Sequence, residues 1–273
     1  MPAMFAARSL SLAAAAALAT TAAAHASSSE PFVTDGATLR LVTSGLADEN
    51  GQLRGALEIR LDPGWKTYWK EPGASGVPPR IDVADSINVS AAQIHFPAPE
   101  WHEDDYGAWA GYGEPVVLPV TFTVDDPQRF SAIEADLFLG VCETICVPVQ
   151  ARLSVEPGSA PEDAADGALV EDAFDALPGA PDETFGVTEA ARSGDRLVVK
   201  VSIPAGGADP AALFLAPAGP YMFGVPKTVE TGAGGSTFEV PVLSAPAGAA
   251  DEVAVTYTLT SGDAAVTGTF TLR

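Results

Sequence analysis

The sequence predicts an all-β protein made of two successive β-sandwich domains. Three observations carry that prediction. Short segments alternate apolar and polar side chains with a period of two, as half-buried strands do, and long helical periodicity is absent from the first half. Glycine and proline, 26 and 23 of the 273 residues, punctuate these segments. An acidic stretch rich in Ala, Gly and Pro, residues 157–183, separates two groups of them. The chain is long enough for two domains, and 47% apolar residues supply core for both.

The opening segment, residues 1–26, reads as a secretory signal. Arg8 is its positive n-region, Leu10 to Ala19 a short apolar run, and Ala24-His25-Ala26 a small-x-small cleavage site. The run is too short to span a bilayer, so cleavage is expected after Ala26, with no membrane insertion of the mature chain. Residues 30–156 are expected to form the first sandwich. In "ALEIRL", Leu57, Ile59 and Leu61 alternate with Glu58 and Arg60. In "LPVTFTV", Leu118, Val120, Phe122 and Val124 alternate with Pro119, Thr121 and Thr123. Residues 157–183 are expected to be a linker with one short helix, Ala168 to Leu177. Residues 184–273 are expected to form a second, smaller sandwich from "LVVKVSIP", "STFEVPVLS", "EVAVTYTLTS" and "AAVTGTFTLR". In the third of these, Val253, Val255, Tyr257 and Leu259 fill one face and threonines the other.

The net charge is −22, and loss of Arg8 with the signal makes it −23. A polyanion repels nucleic acid and anionic lipid, so the partners are proteins or small molecules. Export leads to an oxidising compartment, where disulfides persist. The two cysteines, Cys142 and Cys146, stand close together in "FLGVCETICVPVQ". If they face each other across a hairpin, Val141 meets Val147, Leu139 meets Val149, Leu137 meets Ala151 and Ala135 meets Leu153. Every apolar residue then finds an apolar partner, which sets the register. Both cysteines fall on the face opposite the apolar one. Directly opposed Cα atoms lie about 4.5–5.5 Å apart, within disulfide range. The loop Glu143-Thr144-Ile145 lacks the glycine such loops usually use, so local strain is expected.

Three uses of the pair compete. As a staple it closes a very short loop, worth about 2 kcal/mol against about 4.7 for a 100-residue loop. As a metal clamp it has only His95 and His102 to join it, at a spacing unlike a familiar zinc site. Two thiolates could hold Cu(I), but Met222 is the sole methionine beyond the signal, which excludes a Met-rich copper site. A redox pair wants adjacency, exposure and strain, and this reading fits best. Glu143 and the acidic surroundings would raise the thiol pKa values, which suits a relay that reacts only inside a complex.

From about residue 35 to 156 the chain resembles the N-terminal periplasmic domain of the thiol:disulfide interchange protein DsbD, and more closely the ScsB branch tied to copper-sensitivity suppression. The residues that carry the resemblance are "GWKTYW" (64–69), "FPAPEWHEDDYG" (96–107), "LPVTFTV" (118–124) and "CETICVPVQARLSV" (142–155). The resemblance implies an immunoglobulin-like sandwich for the first domain. It also implies a periplasmic location and thiol–disulfide exchange through Cys142 and Cys146. It implies a cap loop over the pair, with Asp104 and Asp105 as its acidic residues and Tyr106 as its covering aromatic. Tyr68 would be an aromatic beside the pair. Trp65, Trp69 and Trp101 are expected to be packing residues. Electrons would come from a membrane-embedded thiol donor on another chain, because this sequence stops at Arg273 before the family's usual membrane and thioredoxin-like domains. They would go to periplasmic thioredoxin-like or disulfide-containing proteins. Cys146 is the expected partner-facing sulfur, and no cofactor is expected. The C-x3-C spacing departs from the longer gap of the best-known member. The alternatives are a Cu(I)-binding or copper-tolerance module on the same two thiols, and a redox-silent binding module with a structural disulfide.

Overall fold

The computed structural model describes residues 27–73, 76–105, 107–159, 164–204, 210–219, 221–232, 234–245 and 252–272. The expected signal segment and Tyr106 lie outside the described residues. The first strands are β1 (Phe32–Thr34), β2 (Ala37–Thr43), β3 (Gln52–Leu61), β4 (Lys66–Tyr68), β5 (Arg80–Asp82) and β6 (Val89–Ile94). They are followed by β7 (Glu100–Asp104), β8 (Gly107–Tyr112), β9 (Val116–Val124), β10 (Ile133–Cys142) and β11 (Cys146–Val155). After helix α1 (Ala164–Asp175) come β12 (Gly186–Ser193), β13 (Arg196–Ser202), β14 (Ala212–Pro217) and β15 (Met222–Phe223). The last strands are β16 (Lys227–Gly232), β17 (Gly235–Ser244), β18 (Val253–Ser261) and β19 (Ala264–Leu272).

The fold is nearly all β, as expected, and forms two sandwiches. In the first, a sheet ordered β1-β2-β3-β9-β6 faces one ordered β11-β10-β4-β8-β7, with β5 paired to β10. In the second, a sheet ordered β12-β13-β17-β15, with β16 also on β17, faces the sheet β14-β18-β19. Period-two alternation does its expected work in the first core. Leu57, Ile59 and Leu61 of β3 and Leu118, Val120, Phe122 and Val124 of β9 are all buried in one cluster with Leu137, Leu139, Val149 and Leu153 of the other sheet.

The polar face of β3 is not left to solvent. Helix α1 lies across β2, β3 and β9 and packs Val170 and Ala173 on Val42 and Ala56. Beside this contact, Glu58 is only 9% exposed and accepts hydrogen bonds from the guanidinium groups of Arg40 and Arg60. Arg40 also donates to Asp166 in the first turn of α1, whose carboxylate accepts a further hydrogen bond from Ser27 Oγ. The helix starts earlier than the expected Ala168 and ends at Asp175, short of Leu177. The residue before a proline disfavours helical backbone, and Pro178 follows Leu177.

Strand β14 was not foreseen. Its run "ALFLAP" is apolar without alternation, as befits a strand buried on both faces. Leu213 and Leu215 enter the second core, whereas Phe214 is part of the first. Its cross-strand partner on β18, Thr258, is 3% exposed. The threonine face of β18 is therefore covered at this point rather than wet.

Candidate functional site

Strands β10 and β11 form a hairpin in the expected register, with Val141 opposite Val147, Leu139 opposite Val149, and Cys142 opposite Cys146. The two cysteines are joined in a disulfide with Cα atoms 4.1 Å apart. None of Glu143, Thr144 and Ile145 takes a positive φ, so the expected strain of a left-handed residue without glycine is not present in this loop. The shared exposure of the two sulfurs is also corrected. Cys146 is exposed, but Cys142 is 1% exposed and packs with Tyr68 and Trp109 in a small cluster apart from the main core. Its face of β10 is polar by pattern, and Tyr68 of β4 and Trp109 of β8 cover that face at its Cys142 end, whereas Asp136 on the same face is exposed.

Strand β4 is the platform of the site. It pairs with β10 through Thr67 opposite Val141 and Lys66 opposite Cys142, and with β8 through Tyr68 opposite Gly111. Thr67 Oγ1 donates to the Gly140 carbonyl at 2.9 Å. Lys66 and Tyr68, two residues apart, share the face toward the disulfide. The Tyr68 hydroxyl sits 3.1 Å from the sulfur of Cys142 and 3.1 Å from that of Cys146. A disulfide sulfur has no proton to give, so the phenol is the donor to both. Burial, aided by the charge of Asp104, pushes the Tyr68 phenol above its ordinary pKa and keeps that proton in place.

Two glycines make this approach possible. A Cβ on Gly140 would meet the Tyr68 ring at 3.2 Å and the Val77 Cβ at 3.0 Å. One on Gly111 would lie 2.3 Å from the Thr67 carbonyl oxygen. Trp109 meets Tyr68 edge-on, with ring centroids 5.8 Å apart, and is covered on its own side by the stacked ring of His102, 4.1 Å away on the opposed strand. Burial, with the charge of Lys66, pulls the His102 pKa down, and nearby Glu100 opposes this without reversing it. The Lys66 ammonium lies 4.5 Å over the Trp109 ring and is ion-paired with Asp104.

A cavity of about 270 Å³ opens here, lined by Lys66, Tyr68, Asp104, Trp109 and the hairpin from Cys142 to Cys146. Ile145, 75% exposed, stands at its rim. The expected cap loop is the tip of the β7–β8 hairpin, whose last pair is Asp104 opposite Gly107. Of the expected site residues, Tyr68, Asp104, Cys142 and Cys146 come together around the cavity. Asp105 is exposed on the turn and does not line it. Trp69 is a buried packing residue, and Trp65 and Trp101 are partly buried against the same core. Lys66, His102 and Trp109 had not been foreseen as site residues. Lys66 could have been found from its period-two spacing to Tyr68; His102 and Trp109 meet only through the pairing of β7 with β8. His95 bonds Thr121 instead, at 2.9 Å. Among the described residues, no group of three or more His, Cys, Asp or Glu side chains could hold a metal ion. No helix among them is long and apolar enough to cross a membrane.

Comparison with known proteins places this geometry. No curated protein matches the chain. The crystal structure of the N-terminal periplasmic domain of ScsB from Proteus mirabilis superposes with a TM-score of 0.76 at 21% identity, covering 90% of this chain and 98% of that one. The shared fold thus extends over both sandwiches. Residues 40–156 match the family described as thiol:disulfide interchange protein DsbD, N-terminal. The matched stretch contains "GWKTYW" and the whole cysteine hairpin.

Proposed function

We propose that this chain is a periplasmic thiol–disulfide exchange module, with Cys142 and Cys146 as its redox pair. The observation that carries the reading is the asymmetry of the disulfide: an exposed residue, Cys146, bonded to a buried one, Cys142, with one phenol proton shared between their sulfurs. An exchange centre needs one sulfur that a partner can reach and one held ready to resolve the mixed disulfide. In the reducing direction the Cys146 thiolate attacks a partner disulfide and releases one partner thiolate, which takes up a proton. The Cys142 thiol, losing its proton, then attacks Cys146 of the mixed disulfide and releases the second partner thiol. The chain ends with the Cys142–Cys146 bond, and the partner has gained two electrons and two protons.

In this reading residues 30–156 carry the chemistry, residues 157–183 are the connecting segment, and residues 184–273 form the second unit. Residues 1–26 direct export. Asp104 and Asp105, with Tyr106, belong to the cap over the pair, and Tyr68 lies beneath it. The family resemblance supports a membrane-embedded thiol donor on another chain and periplasmic thioredoxin-like or disulfide-containing acceptors.

The test is the reduction potential of the pair, measured by equilibrating the mature protein with redox buffers and counting free thiols. A value between roughly −270 and −180 mV is expected of a pair that carries electrons. A value well below about −300 mV would make the bond a staple and end the reading. Cys142→Ser should accumulate a mixed disulfide on Cys146, whereas Cys146→Ser should not react with a partner. Stoichiometric Cu(I) capture by the reduced protein without any exchange activity would replace the reading with metal binding.

A further inference from the structure

The second sandwich touches the first through β14, where Ala212, Phe214 and Ala216 meet the first core, and the aromatic part of that contact lies behind the disulfide site. Phe214 of β14 is 1% exposed and belongs to the core of the first sandwich. Its ring stacks on Trp101 with centroids 5.3 Å apart and planes 10° apart, and meets Trp69 at 5.9 Å in an edge arrangement. Trp101 Nε1 donates to the Leu213 carbonyl at 3.0 Å, which ties β7 to the backbone of β14.

Both tryptophans are sequence neighbours of site residues. Trp69 follows Tyr68, and Trp101 precedes His102. Successive side chains in extended chain point to opposite faces. Tyr68 therefore turns to the sulfurs while Trp69 turns to Phe214. Likewise His102 turns to Trp109 while Trp101 turns to Phe214. One side chain of the second sandwich thus backs both the platform strand and the hairpin that ends in Asp104.

We propose that the second sandwich is a positioning element for the disulfide site: Phe214, held between Trp69 and Trp101, sets where the β7–β8 hairpin stands relative to Tyr68 and the Cys142–Cys146 bond. The proposal rests on the exchange reading above for its consequence, but the contact acts on access to the pair whatever that pair's potential. Without Phe214 the Trp101 ring loses its stacking partner, and the hairpin is left with its ladder to β8, the Trp101–Leu213 hydrogen bond and the partly buried Lys66–Asp104 ion pair. One hydrogen bond and an ion pair still open to solvent contribute modestly, so the hairpin stands less firmly without the stack.

The experiment compares Phe214→Ala with the wild-type full chain. Two quantities are read: the rate at which dithiothreitol reduces the disulfide, its own two thiols closing to a cyclic disulfide, and amide hydrogen exchange over residues 100–112. Expected are reduction faster by about fivefold and faster exchange in that hairpin, as a loosened element opens more often. Val199→Ala, which opens a void in the second core on the sheet that faces β14, should leave both readouts unchanged. If Phe214→Ala does not fold, Phe214→Leu and Trp101→Phe keep apolar bulk while removing the stack or the indole donor, and should move the same readouts in the same direction. Unchanged reduction and exchange in a folded Phe214 variant would overturn the proposal, as would equal acceleration by Val199→Ala. The wild-type reduction potential judges the exchange reading separately, because hairpin exchange reports positioning even where the pair proves to be a staple.

Discussion

Tyr68 is where residue chemistry decides most. Its hydroxyl reaches both sulfurs, at 3.1 Å each, and burial holds its proton in place. When the pair is reduced, that proton is available to whichever sulfur carries charge. A hydrogen bond to a charged group contributes about 1.5–3 kcal/mol, so its loss changes the thiolate population by roughly tenfold or more. Tyr68→Phe keeps the ring that packs on Trp109 and removes only the donor. It should slow iodoacetamide alkylation of the reduced protein at pH 7 by about tenfold while leaving thermal stability nearly unchanged. An unaltered alkylation rate would mean that Tyr68 merely fills space. The same residue marks a limit of pattern reading: its place beside the pair was visible by resemblance, but the equal reach to both sulfurs depends on β4 pairing with β10 and β8 together.

At the scale of elements, the cysteine hairpin was the most legible part of the chain, because five alternate pairs, from Ile133–Val155 to Val141–Val147, had to match apolar to apolar in one register only. What the pattern could not reveal was that its polar face is roofed at the Gly140–Cys142 end of β10, although the rest of that face is open. Cys142 reads as outward, yet Tyr68 and Trp109 bury it, and both arrive from strands distant in sequence. Glu58 of β3 is likewise buried on the polar side of an alternating strand, bonded by Arg40 and Arg60 beside the α1 contact. Gly140 is the local device that lets the roof close. A methyl group there would press the Tyr68 ring at 3.2 Å and Val77 at 3.0 Å. Gly140→Ala should therefore cost about 1–3 kcal/mol, the usual penalty of overpacking, read as a lower urea midpoint with unchanged slope. It should also displace the phenol and reproduce part of the Tyr68→Phe alkylation defect. Full stability together with normal alkylation would show that Tyr68 can shift without consequence.

Across the whole molecule, 36 acidic against 14 basic side chains make acid pH a stringent probe, because protonation both relieves general repulsion and dismantles specific ion pairs. The network that joins α1 to the first sandwich is the specific part. Burial alone would raise the Glu58 carboxyl, but hydrogen bonds from Arg60 and Arg40 outweigh it and hold the group below its ordinary range. A carboxyl depressed on folding contributes stability that is fully present above the unfolded value, about 4.3 for glutamate, and that is lost as pH falls through the folded one. Relief of repulsion has the opposite sign, and salt removes it: the Debye length falls from about 30 Å at 0.01 M to about 8 Å at 0.15 M. Thermal melts at 0.15 M salt should therefore lose stability progressively below about pH 4.3. Arg40→Gln removes one of the two guanidinium partners of Glu58 and the Arg40–Asp166 pair. The variant should be less stable at pH 7 by about 1–3 kcal/mol, since the pair is half-buried rather than fully desolvated. Its acid limb should be shallower than that of the wild type, because less of its stability is linked to a depressed carboxyl. An equally steep acid limb in Arg40→Gln would place the acid sensitivity elsewhere and leave α1 docked by its apolar face alone.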